Sequence, residues 1–203
     1  MEPKLIHVIA SVADEATGPS YSVPNLCRVL AEQGNPVTLM YVSERTDKSR
    51  NGCEMQTFRQ NYSDLPVLAR LRFSSEMQAA LRKHARHGAI LHAHGLWLMP
   101  NIYPAEAARE FRVPLIMAPR GMLGPEALKF SRMRKQLMWH ILQKRAVGAA
   151  SCLHATSEQE YREIRAFGLS QPVAVVPNGI DVPSLPVAAN KETAFRTDRK
   201  SVV

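Results

Sequence analysis

The chain has 203 residues, 45% hydrophobic and 22% charged, a balance that buries a core and excludes wholesale disorder and collagen-like repeats. No apolar run approaches the ~20 residues that span a bilayer, which excludes an integral helical membrane protein. The net charge of +8 is uneven, since residues 66–87 oppose five basic residues with Glu76 alone and residues 129–146 hold no acid at all. Such a field draws phosphates, anionic lipid or nucleic acid without choosing among them.

In chain order, Lys4–Ser11 reads as a first strand. It mimics a secretion signal superficially, but Glu2 offsets Lys4 and His7 and Asp14 interrupt the apolar run. A helix follows over Tyr21–Gly34, with Val23, Leu26, Cys27 and Leu30 at helical spacing and Gly34-Asn35-Pro36 to end it. Val37–Val42 is a second strand and Met55–Phe58 a weaker third. One long helix is predicted over Leu65–His87, with Pro66 near its start. Ala89–Ala93 is a strand, Tyr103–Phe111 a helix, Pro114–Ala118 a strand, and Ser131–Val147 a helix. Ser151–Ala155 is a strand, Glu158–Phe167 a helix closed by Gly168, and Pro172–Val176 the last strand. Strands alternating with helices at this spacing predict an α/β, Rossmann-like, doubly wound and mostly parallel sheet. From Val182 onward no period is sustained, so residues 1–181 form one domain and 182–203 a linker or tail.

Cys27, Cys53 and Cys152 are scattered, with no CxxC or Cys/His spacing. That pattern argues against a disulfide framework and a structural zinc site, and favours a reducing cytosol.

Ligands of open parallel sheets bind beyond the C-terminal strand ends, and five loops lie there. Ala16-Thr17-Gly18-Pro19-Ser20 offers close backbone approach and a helix N-terminus, though a plain turn explains it as well, and it matches no dinucleotide or P-loop fingerprint. In Leu91-His92-Ala93-His94-Gly95-Leu96-Trp97, alternation puts His92 and His94 on one face, with His94 nearer the edge. Core histidines and ligand-facing ones fit that pattern equally, and nothing nominates further metal ligands. Arg120, between Pro119 and Gly121, can fork onto a phosphate or carboxylate, or stand simply as a surface arginine. Ser157 and Glu160 have capping-box spacing, which explains them structurally. Asn178-Gly179 supplies a turn.

Taken in order, the Gly-Pro-Ser turn, His-Ala-His-Gly-Leu-Trp, Pro-Arg-Gly-Met-Leu, Ala-Thr-Ser-Glu-Gln-Glu and Val-Val-Pro-Asn-Gly-Ile-Asp resemble the N-terminal domain of the family 4 retaining glycosyltransferases of two-domain GT-B fold. The resemblance runs from about Lys4 to Asp181, and the His-Gly-Leu-Trp and Pro-Arg-Gly-Met-Leu pair is similar to the branch acting in bacterial surface polysaccharide and lipopolysaccharide assembly. It implies transfer of a sugar from a nucleotide-diphosphate sugar to a glycan or lipid-linked acceptor with retention. It nominates His94 as catalytic, beside the transferred sugar, with Gly18, Pro19 and Ser20 against the donor diphosphate. His92, Arg120, Gly121, Ser157, Glu158, Asn178 and Gly179 are the further substrate-binding candidates. It implies no metal and no other cofactor. In that family the nucleotide site sits in a second domain, for which residues 182–203 are too short, so the chain is expected to be half an enzyme and inactive alone. A non-catalytic module that docks on an anionic membrane or a partner is the alternative. Nucleic-acid binding ranks last, resting on a pI of about 9.7 alone. The expected location is the cytoplasm, with a peripheral site at the inner face of the membrane.

Overall fold

A computed structural model describes residues 2–12, 18–44 and 52–179. Its elements are β1 (Leu5–Ile9), α1 (Gly18–Glu32), β2 (Val37–Val42), β3 (Glu54–Phe58), α2 (Pro66–Ala69), α3 (Ser75–Arg86), β4 (Ile90–His94), α4 (Tyr103–Phe111) and β5 (Leu115–Ala118). There follow α5 (Pro125–Lys129), α6 (Arg132–Met138), a π-helical turn (Trp139–Gln143), α7 (Lys144–Val147), β6 (Cys152–Ala155), α8 (Glu158–Ala166) and β7 (Val173–Val175). A short 3-10 turn, Met99–Asn101, precedes α4.

All seven strands pair in parallel in the order β3-β2-β1-β4-β5-β6-β7, the Rossmann-like arrangement that the alternation predicts. The chain reverses direction across the sheet between β1 and β4, and that switch point is where such folds place ligands. On one face Ile6, Val8, Met40, Leu91, Leu115, Met117 and Leu153 pack against Met77 and Leu81 of α3, Tyr103 of α4 and Ile164 of α8. On the other, Val23 and Cys27 of α1 cover Ile9, Leu39 and Tyr41, with Cys53 beside them. Cys27 and Cys53 both belong to this second cluster, and none of Cys27, Cys53 and Cys152 forms a disulfide.

Register carries the site. Leu39, His7, His92, Ile116 and Cys152 lie in one row across β2, β1, β4, β5 and β6. Ile9, His94 and Ala118 lie in a second row, nearer the C-terminal strand ends.

Three expectations change. The single helix over Leu65–His87 is two, α2 and α3. Arg72 takes a left-handed φ of 54°, and Ser74 turns extended to cap α3, its Oγ accepting from the Met77 N–H at 3.3 Å. The Ser74 N–H in turn donates to the Tyr103 hydroxyl at 3.1 Å, a tertiary contact no local period reveals. The first helix begins at Gly18, so Gly18, Pro19 and Ser20 form its first turn rather than a loop. Ser131–Val147 is helical but widened in its middle by the π turn. Ala16, Thr17, Ile180, Asp181 and the stretch 182–203 lie outside the described residues.

Ser74 is fully buried and has both its hydroxyl and its N–H engaged. Ser74→Ala removes the cap and is expected to cost about 1 kcal/mol, within the usual range for caps. Urea unfolding checks it: the midpoint falls while the m-value holds.

Candidate active site

β4 ends on His94, and alternation puts His92 on the same face two residues earlier, their rings 4.1 Å apart between centroids. Register brings His7 of β1 beside them, and His154 of β6 closes the group at 5.3 Å from His92. Asn101 Nδ2 donates to the His94 carbonyl at 2.9 Å and holds the strand end.

Arg120 reaches this cluster from the turn after β5. Arg120 and Gly121 are both left-handed, with φ of 57° and 73°, a conformation glycine adopts freely and arginine does not. Glu160 keeps the turn in place. Its Oε1 accepts from the Gly121 N–H at 2.7 Å, and its Oε2 accepts from the Thr156 N–H and hydroxyl, each at 2.7 Å. The Ser157 hydroxyl caps α8 by accepting from the Glu160 N–H at 3.1 Å, as the spacing predicts. The carboxylate of Glu160 does not close a capping box on Ser157; it ties the start of α8 to the β5 turn.

Guanidinium only donates, so hydrogen-bond directions follow from Arg120 outward. Its Nη2 donates to His94 Nδ1 at 3.0 Å and its Nη1 to Asn178 Oδ1. A neutral His94 therefore carries its proton on Nε2 and donates it to His7 Nδ1 at 3.0 Å. The neighbouring pair is ordered the same way. His154 Nε2 must donate to the Val176 carbonyl at 2.9 Å, leaving its Nδ1 to accept from His92 Nε2 at 3.3 Å. Burial is the main cause that holds all four imidazoles neutral, and the Arg120 charge adds to it. The His7 pKa is pushed down to about 4. Arg120 Nε is buried with no partner among the described residues.

The ligating nitrogens of His7, His92 and His94 lie within 4.8 Å of one another, close enough for one divalent ion. The hydrogen bonds do not suit one. A metal-bound histidine donates its other ring N–H to a carboxylate or carbonyl, whereas Nδ1 of His94 faces a donor, Arg120. The arrangement fits anion recognition better: a partly desolvated cation backed by neutral rings that do not repel it.

Of the residues nominated by sequence, His92, His94, Arg120 and Asn178 come together here, and Gly121 and Ser157 meet through Glu160. His94 does end its strand at the ligand edge, but it is 1% exposed and both ring nitrogens are bonded. Neither nitrogen is left to meet a sugar. Glu158 and Gly179 are exposed, and among the described residues no ion pair or side-chain hydrogen bond joins Glu158 to the cluster. Gly18 is exposed at the start of α1, with Pro19 and Ser20 half-buried behind it. Sequence reasoning missed His7, His154 and the bridging role of Glu160. Pairing β1 with β4 in register would have found His7.

A model of the glycosyl transferase 4-like domain matches residues 17–179. The chain belongs to that family. No curated protein matches the sequence of this glycosyl transferase 4-like domain. Among solved structures, the Anabaena protein Alr3699/HepE, determined with UDP and glucose, is 16% identical with a TM-score of 0.62 over 89% of this chain and 45% of that one. The S. aureus protein MnaA, determined with UDP, is 14% identical with a TM-score of 0.52 over 86% of this chain and 43% of that one. The N-terminal domain of Candida albicans trehalose-6-phosphate phosphatase is 13% identical with a TM-score of 0.54, over 98% and 55%. These likenesses are of fold, and the domain spans about half the length of each.

The neutral histidines make stability depend on pH. An unfolded His7 takes up its proton near 6.5 and the folded one near 4. Stability is therefore full above the unfolded value and falls as pH drops through that window. His7 alone contributes a loss of about 2 kcal/mol by about pH 5. Urea midpoints compared at neutral pH and at about pH 5 should show the fall, and His7→Asn should lessen it, leaving the share of the other three histidines. A midpoint that is level across the window would mean that the cluster already holds a proton when folded.

Proposed function

We propose that this domain is the acceptor-side half of a retaining glycosyltransferase. In the complete enzyme it would face a second, nucleotide-binding domain and move a sugar from a nucleotide-diphosphate sugar to a glycan or lipid-linked acceptor. The observation that carries the reading is the Arg120–His94–His7 chain at the C-terminal edge of the sheet, in a domain of this family. Arg120 offers a pre-oriented, partly desolvated positive charge of the kind that stabilises a departing diphosphate. His94 and Asn178 hold its guanidinium from two sides, so His94 acts as a positioning group. The N-terminal turn of α1, which begins at Gly18 and has no acid, adds the positive end of a helix dipole for phosphate. Neighbours of this fold solved with UDP are in keeping with a nucleotide-sugar donor.

A peripheral membrane site of bacterial surface-polysaccharide type has its own support. Phe130, Met133, Leu137 and Ile141 are 80%, 85%, 62% and 61% exposed, Phe130 just before α6 and the others along α6 and the π turn. Arg134 and Lys144 are exposed on the same rod. Met138, which helical projection adds to this stripe, is half-buried and packs against the core instead.

Two measurements test these readings. In the complete enzyme, Arg120→Ala and His94→Ala should each lower kcat about 100-fold, as loss of a charge-stabilising group does. His92→Ala should lower it by less than about tenfold, because His92 bonds His154 rather than Arg120. Equal losses in folded His92 and His94 variants would refute the Arg120 relay. Separately, vesicle co-sedimentation should rise with anionic lipid and fall with salt. Arg134→Glu and Lys144→Glu should weaken it by about 1 kcal/mol each. Binding indifferent to lipid charge would leave the rod a structural role alone.

A further inference from the structure

The loop after β4, α5, α6 and the π turn enclose a second site that the transfer reading does not use. A cavity of about 390 Å³ opens between them, lined by Trp97, Trp139, Phe167, Lys129, Arg132 and Lys135 among others. Its volume is within the roughly 300–1,000 Å³ of small-molecule sites. We propose that it is the acceptor pocket and that it takes a saccharide bearing a phosphate, an assignment that rests on the glycosyl-transfer reading above.

Three independent features point to a ligand. The first is the aromatic wall. Trp97 and Trp139 stand 6.3 Å apart between ring centroids, inclined at 58°, and the Phe167 ring meets Trp139 edge-on at 4.7 Å. Indole faces of this kind stack on the C–H face of a pyranose ring.

The second is the way Trp97 is held. It has a left-handed φ of 73°, an outlier for so bulky a residue. Its backbone N–H donates to Gln143 Oε1 at 2.8 Å, and Gln143 is fully buried in the π turn. Single π turns recur at functional sites, and here the turn supplies the group that maintains the strained tryptophan. The indole Nε1 of Trp97 is itself buried without a partner among the described residues. A sugar hydroxyl would accept that hydrogen bond.

The third is charge. Arg132 is exposed at the rim and has no ion pair among the described residues. Lys135 Nζ lies 5.8 Å from the Trp97 ring centroid and also donates to the Ala127 carbonyl. Lys129 pairs with Glu126 at 2.6 Å. Two uncompensated cations beside an aromatic wall select an anionic sugar over a neutral one. The exposed apolar residues Met133, Leu137 and Ile141 of the same rod would bring a lipid-borne glycosyl phosphate to the pocket mouth.

Both tryptophans of the chain line this cavity, so intrinsic fluorescence reports on it alone. The full chain is titrated with glucose 1-phosphate, with glucose and with inorganic phosphate. The proposal expects a saturable change with the sugar phosphate, at a concentration about tenfold below that needed for either half alone. Arg132→Gln and Lys135→Gln should each raise that concentration at least about fivefold, with circular dichroism unchanged. Tighter half-saturation by a polyisoprenyl-phosphate-linked hexose in neutral vesicles would assign a lipid-borne source, and equal half-saturation a soluble one; either upholds the site. No saturable change in the millimolar range, an equal response to inorganic phosphate, or a response untouched by both substitutions overturns it. The two readings fail separately. Binding here with no transfer from any donor by the complete enzyme refutes the transfer reading, whereas transfer by that enzyme whose acceptor KM ignores Arg132→Gln refutes the pocket.

Discussion

Arg120 can donate hydrogen bonds and cannot accept them, and the chemistry of the sheet's C-terminal edge depends on that constraint. Its fork onto His94 and Asn178 sets the His94 tautomer, and His94 passes the same direction on to His7. A charged His94 would have stood against the guanidinium at hydrogen-bond distance, and a charged His7 one ring behind it. Burial prevents this by making the neutral form cheaper, so one positive charge is presented and the groups behind it do not oppose it. The price is a domain less stable in mild acid.

The guanidinium is in turn held by a contact between distant parts of the chain. Glu160 bonds the Gly121 N–H, and so fixes a turn whose two left-handed residues would otherwise relax. The same carboxylate satisfies Thr156 at the start of α8. One buried acid thus couples the loop after β5 to the loop after β6, and the two strands that carry those loops are neighbours in the sheet. The electrostatic balance is local as well: Glu160 partly offsets the penalty that burial imposes on Arg120.

The rod from Arg132 to Val147 serves the core, the cavity and the surface at once, and the π turn is what permits it. A regular helix presents one stripe to the core. Widening at Trp139–Gln143 shifts the phase, so Gln143, Ala146 and Val147 are buried while Met133, Leu137 and Ile141 stay outside. Gln143, fully buried, spends its carbonyl oxygen on the Trp97 backbone, which links the rod to the loop that leaves β4.

Local composition determined the strand–helix alternation, the parallel sheet and the loops where ligands meet it. Alternation of apolar residues and Gly or Pro breaks are local signals that tertiary packing here reinforces. His92, His94, Arg120, Ser157 and Asn178 were legible because they sit at strand ends, where the fold class alone says a ligand belongs. The partners of those residues were not legible. His7 reads as one polar residue within an apolar strand until β1 lies beside β4. His154 reads likewise until β6 is placed. Glu160 has the spacing of a capping box in sequence, and that spacing hides its real work, on Gly121. The break between α2 and α3 escaped for a related reason: helical period continues through it, and the Ser74 N–H is taken up by a hydroxyl from α4. Backbone preference is a property of neighbours in sequence, whereas the tautomers, the bridging carboxylate and the strained tryptophan are set by neighbours across the sheet, whose identity only the closed fold decides.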